Sequence, residues 1–137
     1  MASLKDQIRA ATDIRHQDDV EIPEWVPGAR FRVYGLPSGD WEAYQNSLTK
    51  MTRKDSAQGI EMSVKSRKAE IVAKGLYDQE TDERVFPDLR EGIAILSQRS
   101  AGIVNALFEL IRHLSDDGKD FAQRVQEAEA GFGDGPS

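Results

Sequence analysis

The chain has no cysteine among its 137 residues, and it has only two histidines. The absence of cysteine excludes a disulfide framework, a thiolate metal site and a cysteine nucleophile. Because His16 and His113 are the only imidazoles, few general bases are available to activate a serine, and no serine lies in a nucleophile-elbow context. We therefore predict that the protein is not an enzyme and that it has no catalytic, cofactor-binding or metal-binding residues.

The chain is also poor in positive charge and in long apolar runs. Acidic residues outnumber basic ones by 24 to 18, which gives a net charge of −6, whereas nucleic-acid binding is usually driven by a basic patch. The densest basic segment, residues 65–68, is diluted by Glu61 and Glu70. The apolar runs fall far short of the ~20 residues that span a bilayer. We expect no nucleic-acid partner, no membrane partner and a cytoplasmic location.

The N-terminal residues predict one short helix. Leu4, Ile8 and Ala11 recur at steps of four and three over residues 1–17, which is the spacing of a weak amphipathic helix. Ser3 is in position to act as its N-cap.

Two strand-like segments follow this helix. Val20 and Ile22 alternate with polar residues, as do Phe31 and Val33, and a period of two is typical of half-buried strands. Pro23 cannot donate a hydrogen bond to a strand ladder, which favours an edge position. We therefore predict a small β-hairpin at a sheet edge.

The middle of the chain predicts two helices. Asp40 can cap a helix that begins at Trp41. The apolar stripe of this helix consists of Trp41, Tyr44, Leu48 and Met51. Residues 52–59 are polar and end in glycine, as in a loop. A second helix is predicted over residues 62–74, although residues 60–64 also alternate like a strand.

The C-terminal half is predicted to be mostly helical. Residues 77–86 form an acidic turn or a tiny hairpin, and they lack the ligand spacing of a calcium loop. Asp88 and Glu91 resemble a capping box that starts a short helix. The strongest apolar stripe of the chain follows at Ile103, Val104, Leu107, Phe108, Ile111 and Leu114. A last weak helix is expected over residues 117–130.

These elements predict a mainly α fold (α+β), which is a small helical domain with a short N-terminal β-hairpin. We expect one domain over residues 1–130 and a flexible polar tail over residues 131–137, because glycine and proline are frequent in that end. The sequence shows no internal repeat and no linker that would divide the chain.

Apolar side chains are the candidates for contact with other proteins. Trp25 lies between two prolines on the predicted sheet edge, where an indole ring can contact a partner. The stripe of the long helix is most simply a core face, but its size also permits an interface. Six residues are our candidate interface positions: Trp25, Leu107, Phe108, Ile111, Phe121 and Val125.

Five segments of the chain follow one another in a characteristic order. They are VEIPEW at 20–25, FRVYGL at 31–36, WEAY at 41–44, LYDQETDERVF at 76–86 and QRSAGIVNALFELIRHLS at 98–115, with a short acidic helix after them. In this order and spacing the chain resembles, over roughly residues 4–129, the tail assembly chaperones of long-tailed siphophages, especially those of actinobacterial hosts.

The resemblance implies a protein that binds the phage tape measure protein, keeps this helical rod soluble and helps to recruit tail tube protein. It also implies weak self-association and a longer form made by ribosomal frameshifting. The protein would act in the host bacterial cytoplasm and would be absent from the mature virion.

Two other classes of function stay open at this point. One is a virion structural protein, a head–tail connector or tail completion protein, which is also small and acidic. The other is a small DNA-binding regulator that uses residues 65–68, and the net charge of −6 speaks against it.

Overall fold

A computed structural model of the protein describes residues 3–52 and 67–133. Within these ranges the chain forms six helices and four strands. The helices are α1 (Leu4–Arg9), α2 (Ser38–Thr52), α3 (residues 67–75), α4 (Leu89–Leu96), α5 (Ala101–Ser115) and α6 (Phe121–Gly133). The strands are β1 (His16–Val20), β2 (Phe31–Tyr34), β3 (Leu76–Asp78) and β4 (Glu83–Arg84). The predicted fold class, mainly α with a small β element, is confirmed.

The four strands form one antiparallel sheet in the order β1–β2–β3–β4. His16 pairs with Tyr34 between β1 and β2, and Val33 pairs with Leu76 between β2 and β3. The predicted N-terminal hairpin is therefore present, but it is only half of the sheet. The acidic turn supplies the other half, because β3 and β4 pair through Tyr77 and Arg84.

Strand β2 gives the sheet two unlike faces. Phe31 and Val33 are buried, whereas Arg32 and Tyr34 alternate with them and are partly exposed on the opposite face. Helix α5 packs against β2 on the buried side. The resulting core contains Ile22, Phe31, Val33, Leu36, Tyr44, Ala69, Ile71, Val72, Ala73, Leu76, Leu96, Val104, Leu107, Phe108 and Ile111.

The N-terminal boundaries differ from those expected. Ser3 caps α1 as predicted, and its hydroxyl accepts a hydrogen bond from Asp6 N at 3.2 Å. The helix ends at Arg9 and does not continue to residue 17, because His16 begins the strand that pairs with β2. Helix α2 begins at Ser38, three residues before the predicted start at Trp41.

The C-terminal helices are present, and both ends of the last one differ from the expected bounds of residues 117–130. Asp88 caps α4 as predicted, because its carboxylate accepts hydrogen bonds from Arg90 N at 3.0 Å and Glu91 N at 3.3 Å. Helix α6 begins at Phe121, four residues later than expected, and ends at Gly133. The residues between α5 and α6 lie outside both helices, and their ion pairs are described in the next section.

Some predictions fall outside the described residues. The loop expected over residues 52–59, the strand-like alternative over residues 60–64 and the first turn of the helix expected over residues 62–74 lie almost entirely there. The side chains of Leu48 and Met51 and the last four residues of the chain lie there too. Where the structure describes the expected helix, residues 67–75 are helical.

Candidate interaction surface

On the outer face of the sheet, charged and polar side chains form hydrogen bonds and ion pairs with one another. Arg32 Nε donates to Asp18 Oδ1 at 2.6 Å, and Arg32 Nη1 donates to Asp82 Oδ1 at 3.0 Å. The Tyr34 hydroxyl donates to the same Asp82 oxygen at 2.8 Å. These hydrogen bonds, first that of Tyr34 and then that of Arg32, lower the pKa of Asp82. Burial, followed by the bond to Asp82, raises the pKa of Tyr34.

This network includes one histidine and two aspartates, which are residue types that can also bind metal ions. His16 lies beside the ring of Tyr34, at a centroid distance of 5.3 Å, and Asp18 and Asp82 both bind Arg32. In the described ranges, no group of three or more histidine, aspartate or glutamate side chains is placed to hold a metal ion. The outer sheet face is therefore a paired polar surface.

Three of the six candidate interface residues lie inside the core. Leu107 and Phe108 are each 5% exposed, and Ile111 is completely buried. The ring of Phe108 contacts Tyr44 at a centroid distance of 5.4 Å, and Lys68 Nζ lies 5.3 Å from its centre. Because these three side chains are covered by their own chain, they offer no surface to a partner of the folded protein.

Trp25 has a different position, at the edge of an apolar groove. The backbone N–H groups of Trp25 and Val26 both donate to Ile22 O, which closes the turn that presents the indole. The groove has a volume of about 330 Å³. Its apolar lining includes Trp25, Val26, Val85, Phe86 and Ile95, and we call it the Trp25 groove.

Two of the side chains in the Trp25 groove are large and exposed. Val26 is 49% exposed and Ile95 is 41% exposed. Glu24 and Arg99 are the charged residues of the lining. An apolar floor with charges at its rim is the composition of a protein-binding groove, because the apolar part supplies affinity and the charged part supplies orientation.

The other two candidate interface residues lie on α6, whose residues 121–130 are all exposed. Phe121 is 80% exposed and Val125, one turn later, is 40% exposed. The start of α6 is a capping box that the sequence analysis missed. Gln123 N donates to Asp120 Oδ1 at 2.8 Å, and Asp120 N donates to Gln123 Oε1 at 3.0 Å. The signal was readable, since an acidic residue three positions before glutamine is typical of an N-terminus.

Asp117 connects α6 to the rest of the chain. Its side chain is only 2% exposed and binds three cations, Arg15 at 3.1 Å, Arg124 at 2.7 Å and Lys119 at 3.8 Å. Burial raises the pKa of this carboxyl, but the Lys119 backbone N–H and the three cations together hold it below its usual value. The sequence predicted that Asp117 begins the last helix. In the structure Asp117 instead precedes α6 and connects it to Arg15 through ion pairs.

A second groove lies between the N-terminal segment, α2 and the end of α5. Its volume is about 550 Å³. The apolar lining consists of Ile14, Leu36, Trp41 and Leu114, and we call it the Trp41 groove. Asp13, Glu42 and Asp116 add three carboxylates to the same lining.

Helix α1 was not among our candidate positions, yet both of its large apolar side chains are strongly exposed. Leu4 is 77% exposed and Ile8 is 74% exposed, and no residue of α1 is buried. Its periodicity predicted an inner face, but a period of 3.6 cannot tell whether that face meets the same chain or another one.

Among the residues that the structure describes, none of the helices combines the length and the apolar character of a membrane span.

Comparisons with known proteins agree with this fold. No protein-family model matches the chain, and no curated protein sequence matches it. Among solved structures, the chain is similar to the bacteriophage HK97 tail assembly chaperone, with a TM-score of 0.59 and 17% sequence identity. The similarity covers 79% of this chain and 94% of the HK97 chain. At this level of identity the comparison shows that the two chains share a fold.

Proposed function

We propose that the protein is a bacteriophage tail assembly chaperone that acts by binding and not by catalysis. The observation that carries the proposal is the similarity to the HK97 tail assembly chaperone, which extends over 94% of that chain. A fold can host unrelated functions, so the proposal also depends on the surface. Within the described residues, exposed apolar side chains and a mixed charged rim are the features available for binding.

The proposed client is the tape measure protein. Such a rod exposes long apolar stripes before the tail tube encloses it, and exposed apolar stripes promote aggregation. The Trp25 groove suits such a stripe, because burying one large aliphatic side chain contributes about 1.5–3 kcal/mol. Trp25 would be the aromatic anchor of this contact, in keeping with the frequency of tryptophan among binding hot spots.

Phe121 and Val125 on α6 would extend the contact surface for the same client. A short stripe of two residues binds weakly by itself, and many copies along one rod would raise the affinity through avidity. The net charge of −6 would keep such an assembly soluble. In this proposal the chaperone leaves when tail tube protein polymerises around the rod, so it acts in the host cytoplasm and is absent from the virion.

The test is co-expression with the longest helical open reading frame of the same genomic neighbourhood. We expect this chain to increase the soluble yield of that large protein and to co-purify with it. The variant with both Val26→Asp and Ile95→Asp should stay folded and lose both effects. Ala94→Asp is a matched control, because Ala94 is exposed on the same helix and does not line the groove.

Other outcomes would favour the other classes of function. Absence of rescue by a well-folded chain, together with its detection in purified virions by mass spectrometry, would identify a connector or tail completion protein. A steeply salt-dependent shift of duplex DNA would identify a nucleic-acid binder. Either result would contradict the chaperone proposal.

A further inference from the structure

We propose that the Trp41 groove binds a basic amphipathic helix of another protein. This site goes beyond the proposed function, which uses the Trp25 groove and the exposed apolar residues of α6. No residue of the Trp41 groove also lines the Trp25 groove, so the chain can bind at both sites at once. Three features support the assignment: walls that are held together by hydrogen bonds, backbone groups that already have partners, and an acidic rim.

The walls of the Trp41 groove are joined by hydrogen bonds between segments that are far apart in the sequence. Leu36 N donates to Ser115 Oγ at 2.8 Å, which connects the residues after β2 to the end of α5. Arg15 Nε donates to Leu114 O at 3.1 Å, which connects the N-terminal segment to the same helix end. The groove is therefore formed before a partner binds, and a preformed site lowers the entropic cost of binding.

The floor of the groove is apolar and partly open to solvent. Leu36 is buried, Trp41 and Leu114 are partly buried, and Ile14 is 39% exposed. The ring of Trp41 stacks on the ring of Tyr44 at a centroid distance of 5.3 Å, which supports the indole from behind. The volume of about 550 Å³ lies within the range of ligand-binding clefts. Apolar side chains that enter the groove would cover the exposed part of this floor and gain affinity from its burial.

Helix α1 of the same chain does not fill the groove. None of its residues contributes to the lining. Its apolar side chains, Leu4 and Ile8, are 77% and 74% exposed, so they lie in solvent and not on the apolar floor. Within the described residues the floor is therefore left to another chain.

The backbone groups around the groove favour a helix as the occupant. Gly35 N donates to Arg15 O at 2.8 Å, and Leu36 N is bound to the serine described above. The carbonyl groups of His113 and Leu114 both accept hydrogen bonds from the Arg15 guanidinium. Because these groups already have partners, they offer no ladder to an added strand. The occupant must satisfy its own backbone hydrogen bonds, as a helix does.

The rim of the groove is negatively charged. Asp13, Glu42 and Asp116 are exposed carboxylates of the lining, and none of them forms an ion pair within the described residues. The two cations of the lining, Arg15 and Arg124, are already bound to an aspartate outside it. The charge that is left for a partner is therefore acidic, and it complements lysine or arginine side chains.

An apolar floor inside an acidic rim defines the chemistry of the occupant. A helix with apolar residues at steps of three and four would place them on the floor. Lysine or arginine at the neighbouring positions of that helix would lie against the three carboxylates. A helix with acidic flanks would be repelled by this rim and by the net charge of −6. The groove therefore selects a basic amphipathic helix.

The first part of the test titrates the full chain into a fluorescein-labelled peptide and measures anisotropy. The peptide is a synthetic amphipathic helix of leucine and lysine. It should bind, and its affinity should fall as salt is added, because salt screens the exposed charges. The same peptide with glutamate in place of lysine should bind at least about tenfold more weakly. A scrambled leucine–lysine peptide without an apolar face controls for charge alone, and it should also bind more weakly.

The second part locates the bound peptide with matched substitutions. Glu42→Lys should weaken binding about threefold or more, and Glu83→Lys, an equal change in net charge at an exposed position of β4, should have little effect. Ile14→Ser should weaken binding about fivefold, because it removes apolar area from the floor. Ile8→Ser is its control, since Ile8 is exposed on α1 and does not line the groove. Circular dichroism verifies that each variant is folded.

Tryptophan fluorescence gives a second readout at the site itself. The chain has two tryptophans, so the Trp25→Phe variant retains only Trp41. A peptide without tryptophan that enters the groove should shift the emission of Trp41 to shorter wavelengths, because the partly exposed ring becomes covered.

Three results would overturn the assignment. The first is a lysine peptide that does not bind, or that binds no more tightly than the glutamate or scrambled peptide. The second is unchanged affinity in folded Glu42→Lys and Ile14→Ser variants. The third is tighter binding by Ile8→Ser than by the wild type, which would show that α1 of this chain competes for the groove. Client rescue is measured separately at the Trp25 groove, so its failure would contradict the proposed function and leave this site intact.

Discussion

Arg15 and Asp117 are separated by 102 positions in the sequence and are joined by a hydrogen bond of 3.1 Å from Nη1 to Oδ2. Arg15 Nε also donates to Leu114 O at 3.1 Å, and its Nη2 donates to His113 O. One guanidinium thus satisfies carbonyls at the end of α5 and holds the aspartate from which the chain proceeds to α6. Arg15 is well placed there, because a cation is favourable at a helix C-terminus.

Replacement of Asp117 should loosen α6. Asp117→Asn removes the charge that Arg15, Lys119 and Arg124 share, and it leaves three cations close together. We expect a lower thermal midpoint at pH 7 and faster amide hydrogen exchange in α6 than in α5. Asp116→Asn is the control, because Asp116 is exposed and binds only the Gly118 N–H within the described residues. Unchanged exchange in α6 would show that the anchor is not needed.

The contribution of Asp117 should depend on pH in the acid range. Its folded-state pKa is lowered, so its stabilisation is complete above the unfolded-state pKa of about 3.9. The stabilisation is lost as the pH falls through the lower, folded-state pKa. The difference in stability between wild type and Asp117→Asn should therefore be constant from pH 7 to about 5 and shrink below that. Urea titrations at a series of pH values measure it, and a difference that persists at the lowest pH would contradict the assignment.

Two helical glycines should respond oppositely to alanine. A Cβ at Gly92 would lie 2.6 Å from Phe86 Cβ and 3.3 Å from Ala73 Cβ, so Gly92→Ala forces helix α4 away from its neighbours. We expect a loss of about 1–3 kcal/mol. A Cβ at Gly102 would meet only Ser100 Oγ, at 3.7 Å. Gly102→Ala should be neutral or stabilise by up to ~1 kcal/mol. Chemical denaturation compares the two variants, and equal effects would contradict the packing at Gly92.

Substitutions in the buried apolar stripe of α5 should destabilise the protein, whereas a substitution at an exposed apolar position of α6 should not. Leu107→Ala is expected to destabilise by about 2–5 kcal/mol, and Leu107→Asp should unfold the protein because it buries an unpaired charge. Phe121→Asp should leave the fold intact, since Phe121 is 80% exposed. Circular dichroism and thermal unfolding give the readout. A folded Leu107→Asp variant would show that the α5 stripe is a surface.

The sequence by itself determined the helices whose signals are local. The apolar period of α5, the N-cap Ser3 and the N-cap Asp88 were all readable, because capping and helical periodicity act over three or four residues. The acidic turn between β3 and β4 was readable for the same reason. Three of the six predicted interface residues, Trp25, Phe121 and Val125, are at least partly exposed in the structure, and their contact with a partner stays a prediction.

Only the tertiary structure decided which segments meet across long distances in the sequence. His16 is in a strand because β2 supplies its hydrogen-bond partners, and Asp117 stays outside α6 because Arg15 and Arg124 bind it. The apolar residues of α1 and α5 both follow the helical period in the sequence, although the stripe of α5 is much longer. Packing against β2 buries the stripe of α5, whereas nothing in the described chain covers Leu4 and Ile8. A hydrophobic period defines a face, and only the three-dimensional arrangement determines what lies against it.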